Sequence, residues 1–359
     1  MASHPGPRPA DEPDEPALPV RDVAAGLDQG SRNHEELLHR RRAALRQDPA
    51  ANRAAELSQQ VLGWAQTLDA GERTLRDAAR GALHSDSHPD DSRADRPIDR
   101  PQTRQALGRA AALLGAAEAA AVLAARSAHT LTAESGLTST LVSALVPALV
   151  GELTAELGRP VAAAGPEVDR FRSLVVTQFP WLVHGFALET VDEAGLAQAV
   201  RRGAPLAELD ADRLGPLSRG GCSPVQALPR VLGGPELGGA SAEVQSLAKA
   251  LLAAGDELHR RMAEVPEAPQ STPADRQLAA AYETLYAAAA ALECWAGQPE
   301  PGRGDELWLR ATLRGLLARL HRLLDEPAPA LDAQAAEEAL ADRIAELAET
   351  GAPLTSFAC

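Results

Sequence analysis

Gln105–Ala128 reads QALGRAAALLGAAEAAAVLAARSA, and Thr138–Gly158 reads TSTLVSALVPALVGELTAELG. Ala and Leu dominate both stretches and lead the scale of helix formers, because neither loses much side-chain freedom in a helix. Two long apolar helices joined by a short polar turn follow from this. The first is so rich in alanine that neighbours can approach it closely on several sides. The second starts at Ser135 or Thr138, bends at Pro147, and meets a good terminating residue in Gly158.

The same bias runs through all 359 residues. Hydrophobic residues make up 45% and aromatic residues only 3%. The β-branched and aromatic side chains that favour strands are scarce, so the expected fold class is all-α. Upstream, Ala54, Leu57, Val61, Trp64, Ala65, Leu68, Leu75, Ala78 and Ala79 recur at helical spacing between Ala51 and Ala82. Residues 1–30 carry Pro, Asp, Glu and Gly without periodicity and are expected to form a disordered tail. His84–Pro101 reads as a polar loop.

Downstream, Glu193–Arg202 reads as a short helix. Residues 203–240 form a Pro/Gly-rich connector, with Ser223 as an N-cap before Pro224. Four helices are then expected, Ala242–Ala263, Ala274–Trp295, Asp305–Leu324 and Ala333–Glu349. Their lengths suit an antiparallel bundle with short loops. The expected organisation is a tail (1–30), a helical domain (31–202), the connector (203–240) and a C-terminal bundle (241–359).

Charge narrows the partners. The net charge of −15 disfavours a nucleic-acid backbone or an anionic membrane surface. The apolar stretch Gly136–Gly151 is interrupted by Thr138, Ser139, Thr140, Ser143 and Pro147, and it falls short of the ~20 residues of a membrane span. Three cysteines without CxxC spacing imply neither a disulfide framework nor a zinc site. A soluble cytoplasmic protein is expected, with no signal core at its N-terminus.

The order of helices, and the segment Glu167-Val-Asp-Arg-Phe-Arg-Ser-Leu-Val-Val-Thr-Gln-Phe-Pro-Trp-Leu-Val-His-Gly-Phe186 that follows them, resembles the C-terminal helical domain of acyl-CoA dehydrogenases. The run Arg96-Pro-Ile-Asp-Arg-Pro-Gln-Thr-Arg104 is similar to the loop entering that family's second helix, where a basic turn meets the flavin. An acidic insertion, Asp86–Asp95, interrupts it. Leu217–Pro229, Gly255–His259, Leu307–Arg310 and Gly351–Cys359 resemble the C-terminal extension of a long subgroup. The resemblance implies Arg96 and Arg104 as flavin-contacting residues. It aligns His184-Gly185-Phe186 with the family's Glu-Gly-Thr catalytic turn, and an imidazole can act as a general base near neutral pH. His184 is therefore either that base or a packed or surface histidine in a turn.

The family's N-terminal and β-domains have no counterpart in this reading. The resemblance therefore implies a helical subunit, with FAD only where a partner carrying a β-domain shares it. Such an assembly would oxidise an acyl thioester at Cα–Cβ. The alternative is a catalytically inactive scaffold that uses the old dimerisation face, and either reading expects a homo- or hetero-oligomer.

Other groups carry less chemistry. His84 and His88 with Asp86, Asp90 and Asp91 read as a solvated linker rather than a metal site. Cys222, behind two glycines and near Arg219, is either a thiol activated by a helix start or part of a structural bend. Cys294, Tyr282, Leu285 and Tyr286 read as bundle packing, and Trp295 and Trp308 as its closed end. Cys359 is a terminal thiol open to modification. No P-loop, dinucleotide fingerprint or GxSxG elbow is present.

Overall fold

The computed structural model describes residues 49–84, 96–130, 135–158, 222–264, 272–298, 306–327 and 333–354. Among them every regular element is a helix. The first, α1, spans Pro49–His84, and a 3₁₀ turn at Pro97–Asp99 leads into α2 (Pro101–Thr130) and α3 (Ser135–Gly158). Then come α4 (Ser223–Gly233), α5 (Pro235–Gly238), α6 (Ala242–Glu264), α7 (Pro273–Ala296), α8 (Glu306–Leu323) and α9 (Ala333–Thr350). Prolines open α1, α2 and α7, where the missing N–H would have had no partner inside the helix.

Helix α2 is the hub. It packs against α1, α3, α7, α8 and α9. Leu107, Ala110, Ala111, Leu114, Ala117, Ala120, Ala121 and Ala124 on it are all inaccessible to solvent. A helix whose sides are mostly methyl groups lets its five neighbours come close, since bulkier residues would hold them farther away. By length and composition Pro101–Ala125 would also pass as a membrane span, with mean hydropathy 1.5, a feature the reading of Gly136–Gly151 overlooked. In this fold 78% of that window is buried inside the protein, as a central core helix requires.

Helices from both sides of residues 203–240 contribute to one apolar core. The described part of that presumed connector is itself helical. Val225 and Leu228 of α4 are buried, and α4 packs on α6 and α7. The N-cap is Cys222 rather than Ser223, which places Pro224 within the first turn, where its lost donor does no harm. Helix α7 starts at Pro273, one residue ahead of its expected start, because Thr272 and Asp275 form a reciprocal capping box. The Thr272 hydroxyl accepts from the Asp275 amide at 3.2 Å, and the Thr272 amide donates to the Asp275 carboxylate at 2.8 Å.

Helix α9 closes the core through polar clasps as well as Leu340, Ala341 and Ile344. Arg80 of α1 donates to the Ala348 carbonyl at 2.8 Å, satisfying an acceptor in the last turn of α9. The Leu354 amide, just beyond α9, donates to the buried Glu72 carboxylate at 2.8 Å. Gly108 marks the closest approach. A Cβ placed there would lie 2.0 Å from the Glu337 carbonyl oxygen, so only glycine lets the two backbones meet.

Candidate functional site

The side of α2 facing α3 and α8 is built differently. There the helices leave a trough of about 660 Å³, a volume in the range of ligand and peptide pockets. Its floor is Ala112, Leu113 and Ala116 of α2. One wall is α3, presenting Glu152 and Glu156 one helical turn apart. The other is α8, lining the trough from Ala311 to Leu323, which at 1.5 Å per residue is a length of about 18 Å.

Small residues open the space. Ala311, Gly315 and Ala318 line the α8 wall, and a Cβ added at Gly315 would find nothing within 4 Å. The Thr312 hydroxyl turns away from this role and donates to the Ala112 carbonyl at 3.3 Å, tying α8 to the floor.

The walls differ in sign. The α3 wall carries the two glutamates, while the α8 wall carries Arg319 and Arg322, three residues apart on one face. Arg319 reaches across to Glu152, with Nη1 2.5 Å from Oε1. Both partners keep substantial exposure, so this strap contributes only about 0–1 kcal/mol. Among the described residues the Arg322 side chain makes no ion pair or hydrogen bond.

A second pair closes the α9 side, where Arg109 Nε lies 2.9 Å from a Glu337 oxygen. Burial pushes the Glu337 carboxyl above its ordinary range, while the Arg109 hydrogen bond and charge pull it down. The same hydrogen bond raises the Arg109 guanidinium, which stays charged. The opposite directions agree physically, since Glu337 is the more enclosed of the two and carries the larger desolvation cost. We take Glu337 as a carboxylate held in place by Arg109.

Arg96 and Arg104, expected near a flavin, do not line this trough. The exposed Arg96 grips Asp99 with two hydrogen bonds, from Nε at 3.1 Å and Nη2 at 3.3 Å. Arg104 forms an ion pair with Asp342 and donates to the Glu338 carbonyl at 3.4 Å, so it fastens α9 to α2. Both guanidinium groups pair, through part-exposed contacts, with acids of the chain itself. His184 lies outside the described residues, as do Cys359, His88, and Asp86 with Asp90 and Asp91. His84 ends α1 and lies 3.7 Å from Glu349. Among the described residues no group of three His, Cys, Asp or Glu side chains is gathered as metal ligands.

The remaining candidates are packing residues. Cys294, Tyr282, Leu285 and Tyr286 are fully buried on α7, and Trp295 and Trp308 are buried beside them. Cys222 is buried too, and its amide donates to the Tyr282 hydroxyl at 2.7 Å, while that hydroxyl lies 3.4 Å from the Cys222 sulfur. His259 of α6 tilts against the Tyr282 ring at 6.0 Å between centroids. Its Nε2 is buried without a hydrogen-bond partner, and burial lowers its pKa, opposed by the charge of Asp256.

Sequence reading missed the trough because its charged residues come from segments up to 228 positions apart. The readable signals were Glu152 and Glu156 one turn apart, and Arg319 and Arg322 flanking small residues. Comparison with protein-family models, curated proteins and solved structures finds no match to this chain.

Proposed function

We propose that this chain is a helical interaction subunit that works by binding a protein partner, the scaffold alternative among the two functions the sequence suggested. The observation that carries this reading is the trough beside α2, small-walled, open to solvent and lined by opposite charges on opposite walls. Arg104 and Arg96, which the family resemblance would aim at a flavin, hold α9 and the 3₁₀ turn in this fold. A framework fastened by such clasps, with this cleft open among the described residues, suits recognition.

A second reading retains support from one observation. Helices α2 and α3 follow one another as two long apolar elements, the succession with which the acyl-CoA dehydrogenase resemblance begins. On that reading the chain completes a flavin site for a partner that carries a β-domain.

One sample separates the two. The chain is purified alone and together with a co-produced partner, and its mass and absorbance spectrum are recorded. The interaction reading expects a colourless chain and a colourless complex of defined stoichiometry. A yellow complex whose acyl-thioester oxidation is lost with His184→Ala favours the flavin-completing subunit. A yellow, catalytically active single chain contradicts both.

A further inference from the structure

We infer that the trough between α3 and α8 is a docking groove for an amphipathic helix of a partner protein. The partner's apolar stripe is narrow, with basic residues on the flank that meets α3 and acidic residues on the flank that meets α8. The inference rests on the interaction reading above and names the partner that this cleft would take.

Three features of the cleft argue for it. The first is dimension. A lining of about 18 Å along α8 matches roughly three turns of a helix. The small residues Ala311, Gly315 and Ala318 on the α8 wall, and Ala112 and Ala116 on the floor, let a second backbone come close. The added Cβ at Gly315 that meets nothing shows that this space is open.

The second is the arrangement of charge. The protein carries −15 overall, yet the trough is lined by three arginines and three glutamates. A simply basic partner would be attracted to much of the surface and gains nothing particular here. A helix with segregated flanks matches this cleft better than its surroundings, which is how charge supplies specificity rather than bulk attraction.

The third is the Arg319–Glu152 strap, which spans the groove from wall to wall. It is a part-exposed pair and therefore cheap to open. On docking, Arg319 turns to an acidic residue of the partner and Glu152 to a basic one. Two ion pairs form where one was broken, so the exchange leaves no charge buried alone. Arg322, without a partner among the described residues, offers a further contact for the acidic flank.

The test uses the full chain and a synthetic helical peptide of about four turns. The peptide has an Ala/Leu stripe, arginines on one flank and glutamates on the other, and binding is read by fluorescence anisotropy. Gly315→Leu fills the groove where space is open, and far-UV circular dichroism with a thermal scan checks that it folds. We expect saturable binding that Gly315→Leu weakens by about tenfold or more. The double variant Arg319→Glu, Arg322→Glu weakens it similarly, and a peptide with arginines on both flanks restores binding to that variant.

Absence of saturable binding, or binding indifferent to Gly315→Leu, overturns the inference. So does occupation by an elongated fatty carboxylate with no response to the peptide, which assigns the trough to a small amphiphile. Self-association lost on Gly315→Leu assigns it to a second copy of the chain and likewise overturns it. If the peptide fails while Gly315→Leu leaves a defined protein complex intact, the interaction reading stands and only this groove is excluded.

Discussion

Two faces of the same helix meet opposite fates. Where α2 faces α9, Gly108 lets the Glu337 carbonyl come so close that no side chain fits. Where α8 passes the other side, Gly315 faces empty space. Both positions are glycine, but one marks a sealed seam and the other an open cleft. A glycine in sequence carries no label saying which of these it serves, since the answer lies in what another segment brings to it. The contrast locates stability on the α9 side and, among the described residues, leaves the α3–α8 side open.

The largest effects should come from the sealed side. Leu340 of α9 is fully buried, and Leu340→Ala should lower stability by about 2–5 kcal/mol in denaturant unfolding, the range for a cavity in a packed core. Leu323→Ala, at the partly buried edge of the trough, should cost no more than about 1.5 kcal/mol, because the atoms it removes already border open space. Equal losses at the two sites would erase the distinction.

Arg109→Met comes next. It leaves Glu337 enclosed without its cation, and the expected loss is about 1–2 kcal/mol. That is less than the 3–5 typical of a fully buried pair, because Arg109 itself is half exposed. Adding Glu337→Gln should recover much of the loss, and a double-mutant cycle measures it. No coupling between the two sites would show that the pair is ornamental. On the open side, removing the Arg319–Glu152 strap should change stability by only about 0–1 kcal/mol. A larger loss there would mean that the cleft is held shut.

His259 supplies a smaller effect away from both faces. Its folded-state pKa is lowered by burial, so the neutral ring is the form the fold prefers. The sign follows from linkage. Its contribution is complete above the unfolded value of about 6.5 and is lost as pH falls through the folded value. Unfolding at pH 7.5 and pH 5 should show a loss on acidification that is smaller in His259→Leu, and an identical pH dependence would refute the assignment. Smallest of all is the titration of Glu257. Arg260 and Arg261 hydrogen-bond to it and hold its carboxyl at about 2, which carbon-detected NMR would read and high salt should raise.

Most of the fold was legible before any coordinates, because helices with long alanine and leucine runs declare themselves locally. Expected limits for α2, α3 and α6–α9 fall within a few residues of those observed. The errors are instructive in kind. The start of α7 was written in Thr272-x-x-Asp275, a capping signature that was passed over. Within the Pro/Gly-rich connector the start of α4 is legible in Ser223-Pro224, one residue off the observed N-cap, but its continuation past Pro229, which is accommodated inside the helix, is not. Of the cleft, only the spacing of Glu152 with Glu156 and of Arg319 with Arg322 was legible, not their meeting. Nothing local to Arg319 announces that Glu152 will stand 2.5 Å away, and nothing local to Arg104 announces that α9 will take it. Helix identity is a property of neighbours in sequence, whereas a site belongs to neighbours in space.

The sealed and open faces can be set against each other with one pair of substitutions. In an ordinary helix interior, Gly→Ala stabilises by about 0.5–1 kcal/mol. Gly315→Ala should show that gain as a higher denaturation midpoint. Gly108→Ala should show a net loss of about 1–3 kcal/mol or more, because the added methyl group overlaps the Glu337 backbone by far more than the propensity gain can offset. Midpoints that rise for both variants, or fall for both, would contradict the account.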